Sequence, residues 1–443
     1  MKAKLILFIV MIFTLISEVN AQKKLSLKDA ITIALHQNTS LIKSTNNLET
    51  QRAAVKNAYG NLLPTLNLSG SWSWQRVSDK GGGLQIDYFG RETVIPPSQV
   101  DTRSYTVGLN GSVTIFDGLS NIATINQREN SLQAAKYDLQ KQKQDIVMQT
   151  ANLYYAIIGY EKLLKFEEEN YKYNLSLLDK IKEMQELKSV PLSDVHSQEV
   201  QVANAELSLL QTKNSYEKAK VSLLNYLSLD ITDQYSFELP DSTSEDTAIA
   251  NADFSSLLNI ALSNRKDYQS QKLLLDNAFN QLTIARSDYL PSLTGSYRFS
   301  TSSVQPSELF NRKIYNVGLS LNLPVFSHWA TDLAVQTAKV QILNTTEDLN
   351  ALERQIKSDV KNALLDLQTA KTQLEVSHTA LKSAKESWEI KQENYTLGIA
   401  TFVDLQQAYK DYLQAQSNDI QAQYNYFTKQ FVFKNALGIL DVE

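Results

Sequence analysis

The sequence of 443 residues predicts a mixed α and β fold that is mostly α, with four strands and several long helices. Residues 105–116 alternate apolar and polar side chains, which is the period of a strand with one apolar face. Residues 118–187 contain no proline, have one interior glycine and follow the period of a helix. At 1.5 Å per residue this helix would be about 105 Å long. A strand of membrane-spanning length is therefore followed by a helix much longer than a membrane is thick.

The N-terminus, residues 1–21, is predicted to be a secretory signal peptide. Lys2 and Lys4 precede an apolar run over residues 5–16, and small residues precede Gln22. An N-terminal membrane anchor is the weaker alternative, because the run is shorter than the roughly 20 residues of a spanning helix. We therefore expect the rest of the chain to be exported.

The composition excludes several classes of function. With 43 basic and 48 acidic residues the net charge is −5, and no basic cluster is present, so no nucleic-acid partner is expected. The chain has no cysteine, which excludes disulfides and thiolate metal sites. Its four histidines are scattered without metal-ligand spacing, and no nucleophile motif is present. The sequence therefore predicts no enzyme, no metal and no cofactor.

The chain is predicted to contain two structural repeats, residues 22–240 and 241–443. Ala34 aligns with Ala261 at an offset of 227, and Tyr105 aligns with Tyr315 at an offset of 210. The difference of 17 is an insertion in the first half, before Tyr105. Each repeat has the order helix, β-hairpin, long helix, tip turn, helix, and the first helix is expected to break near Asn38.

Four segments alternate apolar with small polar residues over about ten positions, the pattern of an outer-membrane barrel. Trp72, Trp74 and Tyr297 suit an interfacial aromatic girdle. An ordinary amphipathic sheet packed on a core is the alternative, since the pattern is weak in any one strand. The segments are residues 66–74, 105–116, 293–300 and 315–323.

The long helices are predicted to pack side by side with coiled-coil spacing. All eight prolines fall at expected boundaries or loops. The helices are polar outside their apolar stripes, which favours a hollow palisade over a solid bundle. The stripe of the first long helix recurs every seven residues at Leu132, Leu139, Ile146, Leu153 and Tyr160.

Four strands cannot close a barrel alone, because an open edge in hydrocarbon leaves backbone groups unpaired at several kcal/mol each. The smallest barrels have eight strands, so several chains must contribute. Three chains would give twelve strands.

The order and duplication of the motifs resemble the TolC family of outer-membrane efflux channels. The motifs are LSLKDAITIALHQN from Leu25, VGLNGSVTIFDG from Val107, VGLSLNLPVF from Val317, YTLGIATFVDL from Tyr395 and FKNALGI from Phe433. This resemblance implies a homotrimer whose 12-stranded β-barrel in outer-membrane lipid is continued by a coiled-coil α-barrel through the periplasm. It further implies a passive duct of a tripartite efflux or type I export system, opened by a periplasmic adaptor and an inner-membrane transporter.

The resemblance also implies roles for residues of the tip turns. Gly398 and Asp404 match the family's tip pattern, with Asp404 at the position of the aperture acid. Tyr395 stands where the family has a tyrosine that bridges to an acid of a neighbouring helix, and Asp194 matches that acid. The periplasmic aperture is therefore expected to contain Asp194, Tyr395, Asp404 and Gln407.

The tip turns depart from the family pattern at three positions. Lys188 replaces a glycine, Ala400 stands where a gate-locking arginine occurs, and Gln407 stands where a second ring acid occurs. The adaptor is expected to contact both turns, at Lys188, Val190, Pro191, Gly398, Ile399, Ala400 and Thr401.

Two alternatives stay open at the level of the sequence. Residues 401–404 also fit a helix capping box, which would give Asp404 a structural role, and Pro191 suits a helix start. For the whole chain, the alternative function is a soluble periplasmic coiled-coil adaptor or structural protein.

Overall fold

The computed structural model describes residues 23–239 and 253–441. The predicted signal peptide and the predicted boundary between the repeats lie outside these residues. The described chain divides into two compact units, each with segments from both halves of the sequence. The helical unit comprises the described parts of Met1–Asn47, Lys136–Ser270 and Asn350–Glu443, and the sheet unit comprises Leu48–Ala135 and Gln271–Leu349.

The helices of the two halves have equal lengths. Each half contains described helices of 11, 22, 67 and 35 residues, in that order. None of the helices in the described ranges is both long enough and apolar enough to span a membrane. The helices are α1 Leu27–Gln37, α2 Thr39–Gly60, α3 Ser120–Glu186, α4 Leu192–Tyr226, α5 Phe254–Asn264, α6 Lys266–Ser287, α7 Ala330–Thr396 and α8 Phe402–Ala436.

The expected break near Asn38 separates α1 from α2. Asn38 has an extended backbone, with φ −62° and ψ 118°, and ends α1. Its Oδ1 accepts hydrogen bonds from the backbone N–H groups of Ser40 at 3.0 Å and Leu41 at 3.2 Å. Asn38 therefore ends one helix and caps the next.

The four predicted strands form one antiparallel sheet in the sheet unit, in the order β2-β5-β7-β8. Residues of like character lie opposite each other, so that Leu68, Leu109, Phe299 and Tyr315 form an apolar row across the sheet. The outer edges of β2 and β8 have no strand partner within the described residues. The strands are β1 Lys23–Leu25, β2 Thr65–Asp79, β3 Leu84–Ile86, β4 Glu92–Val94, β5 Ser98–Asp117, β6 Tyr235–Phe237, β7 Ser292–Ser303 and β8 Lys313–Asn322.

The two halves of the sheet differ in length. β2 and β5 pair over 15 residues, whereas β7 and β8 pair over 10. The antiparallel pair β3 and β4 lies within the inserted segment of the first half. The insertion therefore lengthens one β-hairpin and leaves the order of the sheet unchanged.

The core of the helical unit includes a small parallel sheet of β1 and β6, which the sequence patterns did not predict. Tyr154 of α3 is fully buried beside this sheet. Its hydroxyl lies 2.8 Å from the carbonyl oxygen of Leu25 and 2.6 Å from that of Glu238. Burial is the main cause that raises the pKa of Tyr154 above its ordinary value. The neutral phenol thus ties α3 to the chain at both short strands.

The heptad stripe predicted for α3 is only partly confirmed. Ile146 is buried and Leu139 and Leu153 pack against the same core, but Tyr160 is 39% exposed. Tyr154, Ile157 and Ile158, which the stripe omits, are buried. These three residues pack in a core cluster with Leu223 and Leu224 of α4 and with both short strands. Because α3 packs against several elements, its buried face is wider than a two-stranded coiled-coil seam.

A buried ion-pair network lies at the junction of α5 and α6. The Arg265 side chain is 9% exposed. Its guanidinium donates to Asp267 at 2.6 Å and to Asp359 of α7 at 2.9 Å. Burial by itself would raise the pKa of Asp267, but the hydrogen bond and charge of Arg265 hold this pKa below its ordinary value. Arg265 therefore joins the short-helix pair to α7.

We predict that Arg265→Met lowers the free energy of unfolding by about 3–5 kcal/mol, because two carboxylates lose their buried cation. The measurement is thermal unfolding of the detergent-solubilised protein, followed by circular dichroism. Since the pKa of Asp267 is lowered in the folded protein, its contribution is present above pH about 4 and is lost as the pH falls. The difference between variant and wild type should therefore shrink in acid.

The matched control is Lys429→Met, which removes a cation from a pair that is more exposed. Lys429 Nζ lies 2.7 Å from Asp366, whose side chain is 51% exposed. Such pairs contribute about 0–1 kcal/mol. Equal losses of stability in the two variants at neutral pH would contradict the role of Arg265.

Candidate functional site

The two tip turns of the helical unit end their long helices in the same way. Lys188 and Gly398 both adopt left-handed backbone, with φ 55° and 73°. Ser189 N–H donates to the carbonyl of Met184 at 2.8 Å, and Ile399 N–H donates to that of Asn394 at 2.8 Å. This is the pattern of a Schellman ending, which glycine normally supplies. Lys188 thus adopts a glycine conformation at a cost of about 1–2 kcal/mol.

The helices that follow the two turns begin differently. Thr401 caps α8 through a capping box: its hydroxyl accepts from Asp404 N–H at 3.2 Å and donates to Asp404 Oδ2 at 2.7 Å. Asp404 Oδ2 also accepts from Thr401 N–H at 3.1 Å. Pro191, at the start of α4, makes no side-chain cap hydrogen bond. The two tips therefore share a backbone path but only the second has a side-chain cap.

Asp404 is exposed and ionised despite its capping role. The hydrogen bond from the Thr401 hydroxyl lowers the pKa of Asp404, followed by the Thr401 amide and the charge of Lys391. The alternative in which Asp404 takes part in a capping box is therefore confirmed. Its expected place in an aperture ring stays a prediction.

Asp194 is half-buried and has different partners. Its N–H donates to the carbonyl of Pro191 at 3.1 Å, and Ser193 Oγ donates to its Oδ1 at 3.3 Å. No capping box forms at this position. The Asp194 carboxylate, unlike that of Asp404, therefore has no helix-capping role.

An apolar cluster joins the two tips. Phe402 of α8 is buried with Ile181 of α3 and Val195 of α4. Val190 and Tyr395 pack against this cluster, and the Tyr395 and Phe402 rings lie 5.9 Å apart. The sequence analysis missed Phe402, although a large apolar residue just inside a predicted helix start was a usable signal. Packing of this cluster sets the spacing of the two turns.

Tyr395 has a buried hydroxyl that makes no hydrogen bond within the described residues. Burial raises the pKa of Tyr395, and the negative charge of Asp194 adds to this effect. The two residues are therefore close enough to interact electrostatically, but within one chain they form no direct hydrogen bond. The expected bridge between Tyr395 and Asp194 stays a prediction.

Gln407 lies one turn beyond Asp404 on the exposed side of α8. Its Nε2 donates to Asp411 Oδ1 at 2.9 Å, and both residues are exposed. Asp404, Gln407 and Asp411 are spaced i, i+3 and i+7, which places them on one helix face. Asp411 is an acid that the sequence analysis missed, and this spacing was the signal for it.

The remaining residues of the turns form a partly apolar surface. Ile399 is 73% exposed, and Leu187 is 78% exposed. Lys188, Pro191, Gly398 and Thr401 are exposed, whereas Ala400 is half-buried. Exposed apolar side chains at loop tips are typical of protein interaction sites.

Comparisons with known proteins give relatives along most of the chain. The family model described as outer membrane efflux protein matches residues 30–228 and 257–438. The chain is 23% identical to the outer membrane protein TolC of Vibrio cholerae over 397 residues, covering 87% of this chain and 84% of the relative. It is 24% identical to the probable efflux pump outer membrane protein TtgC of Pseudomonas putida, covering 86% and 77%.

Solved structures share the fold at low sequence identity. The structure of CusC has a TM-score of 0.81 at 17% identity and covers 93% of this chain and 92% of its own. That of the outer membrane protein VceC from Vibrio cholerae has a TM-score of 0.79 at 18% identity and covers 93% and 96%. The predicted TolC-like fold is thereby confirmed. With its matched segments in both halves, this chain belongs to the outer membrane efflux protein family and is an outer-membrane channel protein that extends into the periplasm.

Proposed function

We propose that three copies of this chain form one passive duct, which an adaptor and an inner-membrane pump open for efflux or type I export. The observation that carries the trimer is the four-stranded sheet, whose two edges have no strand partner in the described parts of the chain. In hydrocarbon each unpaired backbone group costs several kcal/mol, so β8 of one copy must pair with β2 of the next. Three sheets then close a barrel of twelve strands.

The apolar face of the sheet supports its contact with lipid. Leu68 is 77% exposed, Val317 is 82% exposed and Leu319 is 73% exposed. All three lie on the face of the row from Leu68 to Tyr315. A soluble adaptor would expose this face to water, and a sheet packed on a core would cover it. Lipid is therefore the partner that fits the face best.

The tips support an aperture with negative charge. Three copies of Asp194 and of Asp404 would line the periplasmic opening, and rings of carboxylates favour cations. Asp411 adds a third acid on the same face of α8 as Asp404. Gln407, three residues after Asp404, stands where the family has a second ring acid. Asp411, seven residues after Asp404, would supply that second acid instead.

The adaptor would bind at the exposed tip turns, where Leu187 and Ile399 provide apolar contact. Lys188 is exposed and is next in sequence to Leu187. The first turn therefore has a cationic side chain at the position that Gly398 occupies in the second turn.

We predict that Leu319→Arg strongly reduces the yield of assembled trimer in the outer membrane. An arginine on the lipid face near the middle of the membrane costs about 2–4 kcal/mol. The measurement is the fraction of protein that migrates as trimer after detergent extraction. Ser320→Arg is the matched control, since Ser320 is next to Leu319 and faces the other side of the sheet. Equal assembly of both variants would refute a lipid-facing sheet.

We predict that the double variant Asp194→Asn with Asp404→Asn weakens the cation preference of the channel. Asparagine keeps an oxygen that accepts from Thr401 N–H, so the variant removes charge while it preserves the cap. The measurement is the reversal potential in a planar lipid bilayer under a KCl gradient. Thr401→Ala is the control, because it removes the cap and leaves both charges. Unchanged selectivity in the double variant, or the same change in Thr401→Ala, would reject the acidic aperture.

A further inference from the structure

The polar face of the four-stranded sheet carries very little charge. β2, β5, β7 and β8 contain seven residues of the types Asp, Glu, Lys and Arg. Strand register places four of them on the side of the apolar row and three on the polar side. The four are Arg76, Asp101, Arg103 and Lys313, and the three are Asp79, Asp117 and Arg298.

Only Arg298 lies in the interior of the polar face. Asp79 pairs with Ser98, beyond Tyr105 where the pairing of β5 with β7 ends. Asp117 is at the opposite end of the sheet, and its Oδ2 accepts from Asn121 N–H at 2.8 Å. It is six residues from the level of Arg298, which corresponds to about 20 Å along a strand. No acid on the sheet therefore neutralises Arg298.

Arg298 lies in a row across all four strands whose other three members are asparagines. The register aligns Asn67, Asn110, Arg298 and Asn316. Arg298 Nε donates to Asn110 Oδ1 at 3.1 Å. Arg298 is exposed and takes part in none of the ion pairs among the described residues. By contrast, Arg76 is held by both oxygens of Asp101, at 2.7 Å and 2.8 Å.

We propose that Arg298 from three chains forms a cationic belt in the lumen of the β-barrel, which attracts anionic solutes with carboxylate or phosphate groups. This inference rests on the proposed trimeric duct, in which the polar face of the sheet lines the lumen. Rings of basic side chains select anions in pores. A guanidinium also matches the geometry of carboxylate and phosphate. Asn110 is a positioning residue that holds the Nε side of the guanidinium.

The size of a 12-stranded barrel makes the effect dependent on salt. A strand spacing of about 4.8 Å and a tilt of about 40° give a radius of about 12 Å. The Debye length is about 10 Å at 0.1 M salt and about 3 Å at 1 M. The field of the belt therefore reaches the axis of the lumen in dilute salt and is confined to its wall in concentrated salt.

The belt and the proposed aperture have opposite charge. Asp194 and Asp404 would favour cations at the tips, whereas Arg298 would favour anions in the barrel. A test of the belt is therefore clearest in the background of Asp194→Asn with Asp404→Asn, where the aperture charge is reduced. The probe is the K⁺ to Cl⁻ permeability ratio from reversal potentials in planar bilayers.

In this background we expect Arg298→Gln to raise the K⁺ to Cl⁻ ratio by about threefold at 0.1 M salt. Three unit charges about 12 Å from the axis, attenuated over one Debye length, change the ratio by this amount. Arg298→Glu should raise the ratio further, and Arg298→Lys should keep it near that of the background. At about 1 M salt the differences should disappear.

Arg103→Gln is the matched control, because it removes an arginine from the opposite face of the same sheet. An unchanged ratio in both Arg298→Gln and Arg298→Glu, or an equal change in Arg103→Gln, overturns the belt. Trimer formation is measured first for each variant by native mass spectrometry. A wild-type protein that forms no trimer or no channel overturns the proposed duct itself. A conducting trimer whose K⁺ to Cl⁻ ratio is the same in all residue-298 variants overturns only the belt.

Discussion

Backbone hydrogen bonding at the two edges of one sheet is the constraint on which the proposed assembly depends. The sheet has four strands, an apolar face and no partner for β2 or β8 within the described chain. Water could satisfy those edges, but hydrocarbon cannot. The same alternation that makes one face suitable for lipid leaves small polar residues on the other. Membrane insertion, the proposed trimer and its polar lumen therefore all depend on this one sheet.

The helical tips show how a duplicated backbone can diverge in its chemistry. The second tip has glycine in the left-handed position and a threonine cap, both of which favour its turn. The first tip has Lys188 and Pro191 at these positions. Each of these two differences makes the first turn less stable by about 1 kcal/mol. The shared cluster around Phe402 and Ile181 holds the weaker turn beside the stronger one. Side-chain packing between the hairpins thus compensates for a turn that its own sequence favours less.

Sequence periodicity predicted those features that a single element determines by itself. The four strands and the break at Asn38 are confirmed, because alternation and helix-ending residues act locally. The predicted stripe of α3 fails at Tyr160, which is exposed, and omits Tyr154 and Ile157, since the buried face of α3 depends on which neighbours surround it. The three-residue strands β1 and β6 are too short to carry a pattern, and their residues Leu25 and Phe237 pack with Tyr154 in the core. At the tip turns, the sequence indicated the Thr401 cap but not the burial of the Tyr395 hydroxyl.

The sequence alone determined the order of the elements, the two faces of each strand, the places where helices end and the absence of cysteine. These depend on backbone geometry and on residues close together in the chain. The tertiary structure alone decided that Asn110 meets Arg298, that Arg265 reaches Asp359 and that Phe402 packs on Ile181. These pairs are far apart in sequence, and strand register and helix packing bring them together. Local patterns specify which face a side chain occupies, but only the fold specifies what that face meets.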